Sequence, residues 1–205
     1  MSFTTLNRRM VLLGAASTLG GCTALASLND AARPLDTYDL SPAAGSDIGR
    51  RTSRTLLVAR PEASAAIATN RILVRSGPAS ISYLPDAQWS DELPLVVQSL
   101  LIRSISGTGR IGYVGKSDGG PVPDSALLVR LDAFGVVAAP DGTFQTEIDM
   151  TLTLLNDSTQ RVMATRRFAE TSAAADDAAL AIVTAFQRGL DRLLPQASDW
   201  VLGQV

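Results

Sequence analysis

Apolar and polar residues recur along this chain with two different periods, and each period assigns elements. Over residues 91–105, Leu93, Val96, Val97, Leu100, Leu101 and Ile105 return every three or four positions, the stripe of an amphipathic helix. Ser90 is the expected N-cap, Asp91 and Glu92 lie at the positive end of the helix dipole, and Pro94 is tolerated in the first turn. Gly107 and Gly109 end it. A second stripe, Ala178, Ile182, Ala185, Phe186, Leu190, Leu193 and Leu194, predicts a helix over residues 174–194 with Asp176 and Asp177 at its start. Pro195 is expected to interrupt that helix, with residues 199–202 adding a final turn.

Alternation with period two marks the strands. Over residues 144–155, Ile148, Met150, Leu152 and Leu154 point one way, and Glu147, Asp149, Thr151 and Thr153 point the other. Residues 126–137 repeat the pattern, with Val129, Leu131 and Ala133 opposite Arg130 and Asp132, and residues 161–170 follow. Turn residues at Pro140-Asp141-Gly142 and Asn156-Asp157-Ser158 join these three runs into an antiparallel meander with one wet face. Upstream, short strands are expected at residues 38–42, 55–60, 71–75, 80–84 and 111–114, with one helical turn over residues 62–69. The run TLLVAR at 55–60 reads as buried on both faces. Ser76-Gly77-Pro78 reads as a hairpin turn, and the Pro85–Trp89 tract as a break. The order strands, helix, strands, helix gives an α+β fold: a single domain with a mostly antiparallel sheet and two main amphipathic helices packed on one face.

The first residues follow neither period. Arg8 and Arg9 precede a short apolar run, and Leu19-Gly20-Gly21-Cys22 resembles a bacterial lipobox. The run is about ten residues, half of what spans a bilayer. Residues 1–21 are therefore read as a lipoprotein signal peptide, exported by the general secretory route or, through Arg8-Arg9, by the twin-arginine route. Cys22 is read as the lipidation site, because its thiolate can carry a diacylglycerol thioether, and several acyl chains give stable anchoring where one is marginal. Residues 23–33 are small and polar, and residues 22–35 read as a tether in which about 12 extended residues reach about 40 Å. Thr23, where an Asp would favour inner-membrane retention, points to the outer membrane. Residues 36–203 are left as the folded domain.

Composition narrows the chemistry. Removing residues 1–21 leaves 184 residues and shifts the net charge from −2 to −4. A mildly acidic chain without a basic block is a poor nucleic-acid ligand. The sequence contains no His, and Cys22 is its single Cys, so Ser-His-Asp, Cys-His and His-metal chemistry are excluded, as is an internal disulfide. Gly107-Thr108-Gly109-Arg110-Ile111-Gly112 matches a dinucleotide fingerprint in letters. It follows a helix and precedes a strand, the reverse of what the fingerprint needs, and reads as a helix end and tight turn. Asp118-Gly119-Gly120 lacks calcium-loop spacing and reads as a surface loop. Glu147 and Asp149 read as a solvated or partner-contacting face, and Arg166-Arg167 as an exposed, edge-protecting pair. Tyr38, Tyr83 and Trp89 stand out in a chain with 5% aromatics. They read as core packing or as interface anchors, and nearby Arg71 or main chain could satisfy their polar atoms. Carboxylate catalysis stays open, although no pair is singled out.

The order of these features resembles one family. A lipobox, Tyr38-Asp39-Leu40, a strand ending at Pro61, Arg71-Ile72-Leu73-Val74-Arg75, Tyr83-Leu84-Pro85 and Trp89 before an amphipathic helix look like the ABC-type transport auxiliary lipoprotein family over roughly residues 36–200. The resemblance implies a non-enzymatic role, without cofactor or metal, in MCE-type lipid transport. The expected partners are an MCE-domain protein and the permease and ATPase of the same ABC system, with the chain docking the MCE assembly at the outer membrane. Tyr38, Leu40, Arg71, Tyr83 and Trp89 would be its partner-binding or family-motif residues. The chain has no G-x-x-x-x-G-K-[ST] loop, so the energy would come from partners. A docking piece for a ring-shaped partner could itself form a homo-oligomer. Two other readings stay open: an envelope hydrolase acting on glycan or lipid through carboxylates, and a generic envelope-assembly lipoprotein.

Overall fold

The longest alternating runs become the centre of one sheet. The computed structural model describes residues 34–116 and 120–205, so Cys22 and the expected signal and tether up to residue 33, as well as Asp118, lie outside the described residues. Strands β7 (Ser125–Ala138), β8 (Phe144–Asn156) and β9 (Arg161–Ala173) form the expected antiparallel meander. The other edge of β7 is shared by three short parallel strands in succession: β2 (Thr55–Val58), β3 (Glu62–Ala63) and β4 (Arg71–Arg75). Beyond them β6 (Tyr113–Lys116) runs parallel to β2, β5 (Ile81–Trp89) antiparallel to β4, and β1 (Asp36–Tyr38) parallel to β5. The nine strands make one mixed sheet, antiparallel over most of its paired length. Helices α1 (Leu93–Ser106) and α2 (Ala179–Leu202) pack on each other and on one face of it, which makes the fold α+β.

Three features of the strands depart from simple alternation. The register of β7 against β8 shifts between Leu131 and Ala133, a bulge that leaves Asp132 extra. Past it Phe134 and Val136 face the core, and Ala133, expected inside, is only half-buried. Strand β5 runs through Pro85 rather than stopping there. Tyr83 pairs with Leu73 and Gln88 with Arg71, so residues 84–87 form a bulge opposite Ile72, with Leu84 and Ala87 turned into the core. Pro85 therefore withholds no ladder donor, and Asp86 takes the positive φ of 54° that its short side chain tolerates. Residues 62–69 hold the two-residue β3 and then a turn, in place of the expected helical turn alone.

The helices also differ at their ends. Ser90 does not cap α1: its hydroxyl donates to Asp39 Oδ1 at 3.0 Å, and Glu92 occupies the cap position without a capping bond from its side chain, which pairs with Arg60 instead. The first helical N–H, of Leu93, is met instead by Thr69 O at 3.0 Å, and Pro94 has none to satisfy. Helix α2 begins at Ala179 because β9 extends to Ala173, and Ala178 is exposed ahead of the helix. It continues through Pro195 to Leu202. The proline costs about 3 kcal/mol. The two turns after it bury Ala197, Val201 and Leu202, and each large side chain buried is worth about 1.5–3 kcal/mol. The Gly107–Gly112 stretch caps α1 and turns into β6: Gly107 N–H bonds Arg103 O at 2.9 Å, and Gly109 sits at φ 63°. Arg110, 9% exposed, reaches from this turn to Asp199 of α2 at 3.3 Å and to the carbonyls of Ser46 and Arg50, fastening the 43–53 loop.

Aromatic packing joins the sheet to α2. Phe134 stacks on Phe186 with ring centres 4.8 Å apart, and Trp89 meets Phe186 edge-on at 5.3 Å and Phe134 at 6.0 Å. All three are at most 2% exposed. Phe186→Ala would empty the middle of this cluster, and a loss of about 3–5 kcal/mol is expected in urea unfolding. An unchanged midpoint would show that the cluster does not carry the core.

Candidate functional site

The motif residues gather at the β1–β5–β4 corner. Leu40 and Trp89, each 2% exposed, are core residues. Tyr38 is half-buried, pairs with Trp89 between β1 and β5, and accepts the Ser90 N–H on its carbonyl at 2.8 Å. Arg71 and Tyr83 lie together nearer the surface. The Arg71 guanidinium stands 5.8 Å from the Tyr83 ring centre and donates to Leu84 O at 3.2 Å. Tyr83, 38% exposed, donates its hydroxyl to Ala66 O at 3.3 Å. The corner thus holds the β5 bulge in shape, and of the five side chains Tyr83 is the most open to a partner.

The sheet face away from the helices carries a second arrangement, in two halves. On the polar half, Arg130 forks onto Asp132 at 2.7 and 3.1 Å, and the Thr151 hydroxyl donates to the same carboxylate at 3.1 Å. Beside it Arg167 of β9 forks onto Asp149 of β8 at 2.8 and 2.5 Å. Asp149 was expected on a solvated face. It is 6% exposed, because the Arg167 side chain lies over it and the bulged β7 closes in beside it. Hydrogen bonding by Arg130 holds the Asp132 carboxyl below its ordinary range, with Thr151 adding to the effect. The Arg130 and Arg167 guanidiniums are raised by bonds to Asp132 and Asp149. A carboxyl held low is a poor proton donor at neutral pH. Among the described residues, no group of three or more His, Cys, Asp or Glu is placed to hold a metal ion.

The other half is apolar. Strand register sets Gly115, Leu57, Ala126, Leu155 and Val162 in one row across β6, β2, β7, β8 and β9. Their chain neighbours Leu56, Leu127 and Leu154 are the core residues, so the row faces away from the helices. Leu128, 43% exposed, lies beside it and joins Ala59, Arg60, Glu62, Arg130 and Thr153 around a groove of about 190 Å³. Val162 at 62% and Tyr113 at 39% exposure stand on the strands at the two ends of the row. The sequence reading missed this row. Its signal was the doubled leucines Leu56-Leu57, Leu127-Leu128 and Leu154-Leu155, which place apolar side chains on both faces of a strand. No helix among the described residues is long and apolar enough to cross a membrane.

The ABC-type transport auxiliary lipoprotein component family model matches residues 38–197. Among solved structures, a Xanthomonas campestris protein of the DUF330 family superposes with a TM-score of 0.75 at 24% identity, covering 82% of this chain and 96% of that one. A second crystal structure, of an uncharacterized protein, gives 0.61 at 16% identity over 83% and 98%. At these identities the likeness establishes the fold. No curated protein matches the chain.

Because the folded-state pKa of Asp132 is lowered from 3.8, its pairing stabilises the fold above that pH and is lost as pH falls through the lowered value. Thermal melts should therefore show Asp132→Asn less stable than the parent at neutral pH. The gap should close as pH drops below 3.8 and shrink at high salt, since the pair is exposed. A gap that widens in acid would contradict the assignment.

Proposed function

The chain belongs to the ABC-type transport auxiliary lipoprotein component family, and from that premise we propose that it is a non-enzymatic, periplasm-facing lipoprotein that docks an MCE-type lipid-transport assembly at the outer membrane. The observation that carries this reading is the unbroken family match over residues 38–197, which begins 16 residues after the lipobox cysteine Cys22. An auxiliary component works on other members of its transporter, so its partners are the permease and ATPase of an ABC system and, in this reading, an MCE-domain protein. Residues 1–21 are the signal peptide, Cys22 carries the lipid, and residues 22–35 are the tether. The folded unit that follows, Asp36–Val205, then stands clear of the bilayer. The absence of Asp after Cys22 favours the outer membrane. The ion-paired carboxylates of the open face support a binding role over a hydrolytic one.

Two measurements test this. Cys22→Ala should move the protein from the membrane to the soluble envelope fraction, and mass spectrometry of the parent should find Cys22 acylated. An unmodified Cys22 in the envelope fraction would refute the anchor. In mild detergent the parent should co-purify with an MCE-domain protein, and repeated failure to do so would refute the docking role.

A further inference from the structure

Among the described residues, the strands with a single neighbour are β3 with two residues, β1 with three and β6 with four, whereas β9 offers thirteen. A long unpaired edge is a template for another strand, and proteins commonly blunt it. Here the blunting covers one end. Arg192 and Arg188 of α2 donate to the carbonyls of Thr171 and Ala173 at 2.9 and 2.6 Å. Those carbonyls must therefore point away from β8, while that of Ser172 points toward it and accepts the Thr146 hydroxyl. Antiparallel pairing turns the N–H and C=O of alternate residues to the same side. Thr165, Arg167 and Ala169 consequently present both groups outward, all three are exposed, and no described residue hydrogen-bonds to them across that edge.

The side chains along this stretch leave the edge approachable and give it a sign. Arg167 is drawn onto the open face by Asp149, and Arg166 lies against the Phe168 ring at 5.0 Å on the helix face. Neither blocks an incoming main chain. Arg161 and Arg166 have no carboxylate partner among the described residues, so the edge carries uncompensated positive charge. A second copy pairing through β9 would bring its unpaired Arg161 and Arg166 against the same two arginines, which is unfavourable. Val162, at the end of the apolar row, would extend that row onto a neighbouring strand.

We propose that the free edge of β9, from Arg161 to Ala169, takes an extended acidic segment of a partner protein as an additional strand of the sheet. Main-chain bonds to Thr165, Arg167 and Ala169 would supply affinity, and carboxylates opposite Arg161 and Arg166 would supply selectivity. The site deepens the docking reading by naming the edge a partner strand occupies. It is tested on the purified chain alone, so peptide binding and co-purification can fail independently.

The test is hydrogen exchange followed by mass spectrometry on the full chain, purified in mild detergent, with a short alternating Val–Glu peptide as probe. Exchange across residues 161–169 should slow at least tenfold. An alternating Val–Lys peptide, and a Val–Glu peptide interrupted by proline, should leave it unchanged. Thr165→Pro removes an outward N–H without touching the β8 ladder and should abolish the slowing. Should that variant misfold, Arg161→Glu combined with Arg166→Glu should transfer the effect to the Val–Lys peptide. No slowing with Val–Glu, equal slowing with either control peptide, or unchanged selectivity in the charge-reversed variant would overturn the proposal.

Discussion

Between Leu131 and Ala133, β7 carries one residue more than β8 beside it, and that residue, Asp132, decides what each face of the sheet presents. Before the bulge, Leu127, Val129 and Leu131 pack under the helices. After it Phe134 and Val136 take over, which brings Phe134 onto Phe186 of α2 and Trp89 of β5. Strict alternation would have put Ala133 there instead. The same bulge leaves Asp132 on the open face within reach of Arg130, and the bent strand helps to enclose Asp149. Core and open face are therefore coupled through one inserted residue.

The two faces serve different ends. The helix face buries the apolar stripes of α1 and α2 and supplies stability. The open face is divided into paired arginines and carboxylates at one end and an apolar row at the other. Bonds from Arg130 and Thr151 hold the Asp132 carboxyl on this face below its ordinary range. The face is suited to contact with another macromolecule, in keeping with membership of a family of transport auxiliary components.

Helix α2 contributes to that division from the opposite side of the sheet. Its stripe closes the core, while Arg188 and Arg192 on its exposed flank hold the last carbonyls of β9. One helix thereby both stabilises the fold and limits where the β9 edge is free. Farther along β9, Arg166 and Arg167 lie on their own sheet faces, so edge protection and accessibility coexist on a single strand.

Local periodicity was enough to determine the two helices, the three-strand meander, the faces of Ile148, Met150, Leu152 and Leu154, and the α+β class. Those features depend on residues within a few positions of one another, and the order of short motifs around Tyr38, Arg71, Tyr83 and Trp89 was legible for the same reason. Tertiary structure decided the rest. The bulges in β5 and β7 arise from pairing with partners distant in sequence, so the run through Pro85 looked like a break and Ala133 looked buried. Helix α2 passes Pro195 because burial of its last turns outweighs one lost hydrogen bond, a balance set by the core beneath it. Ser90 looked like a cap until Asp39 and Thr69, brought by other elements, took its hydrogen bond and its task. Asp149 was read as solvated because its alternation faces outward. Only Arg167, eighteen residues away and aligned by the β8–β9 register, makes it a buried charge with a partner.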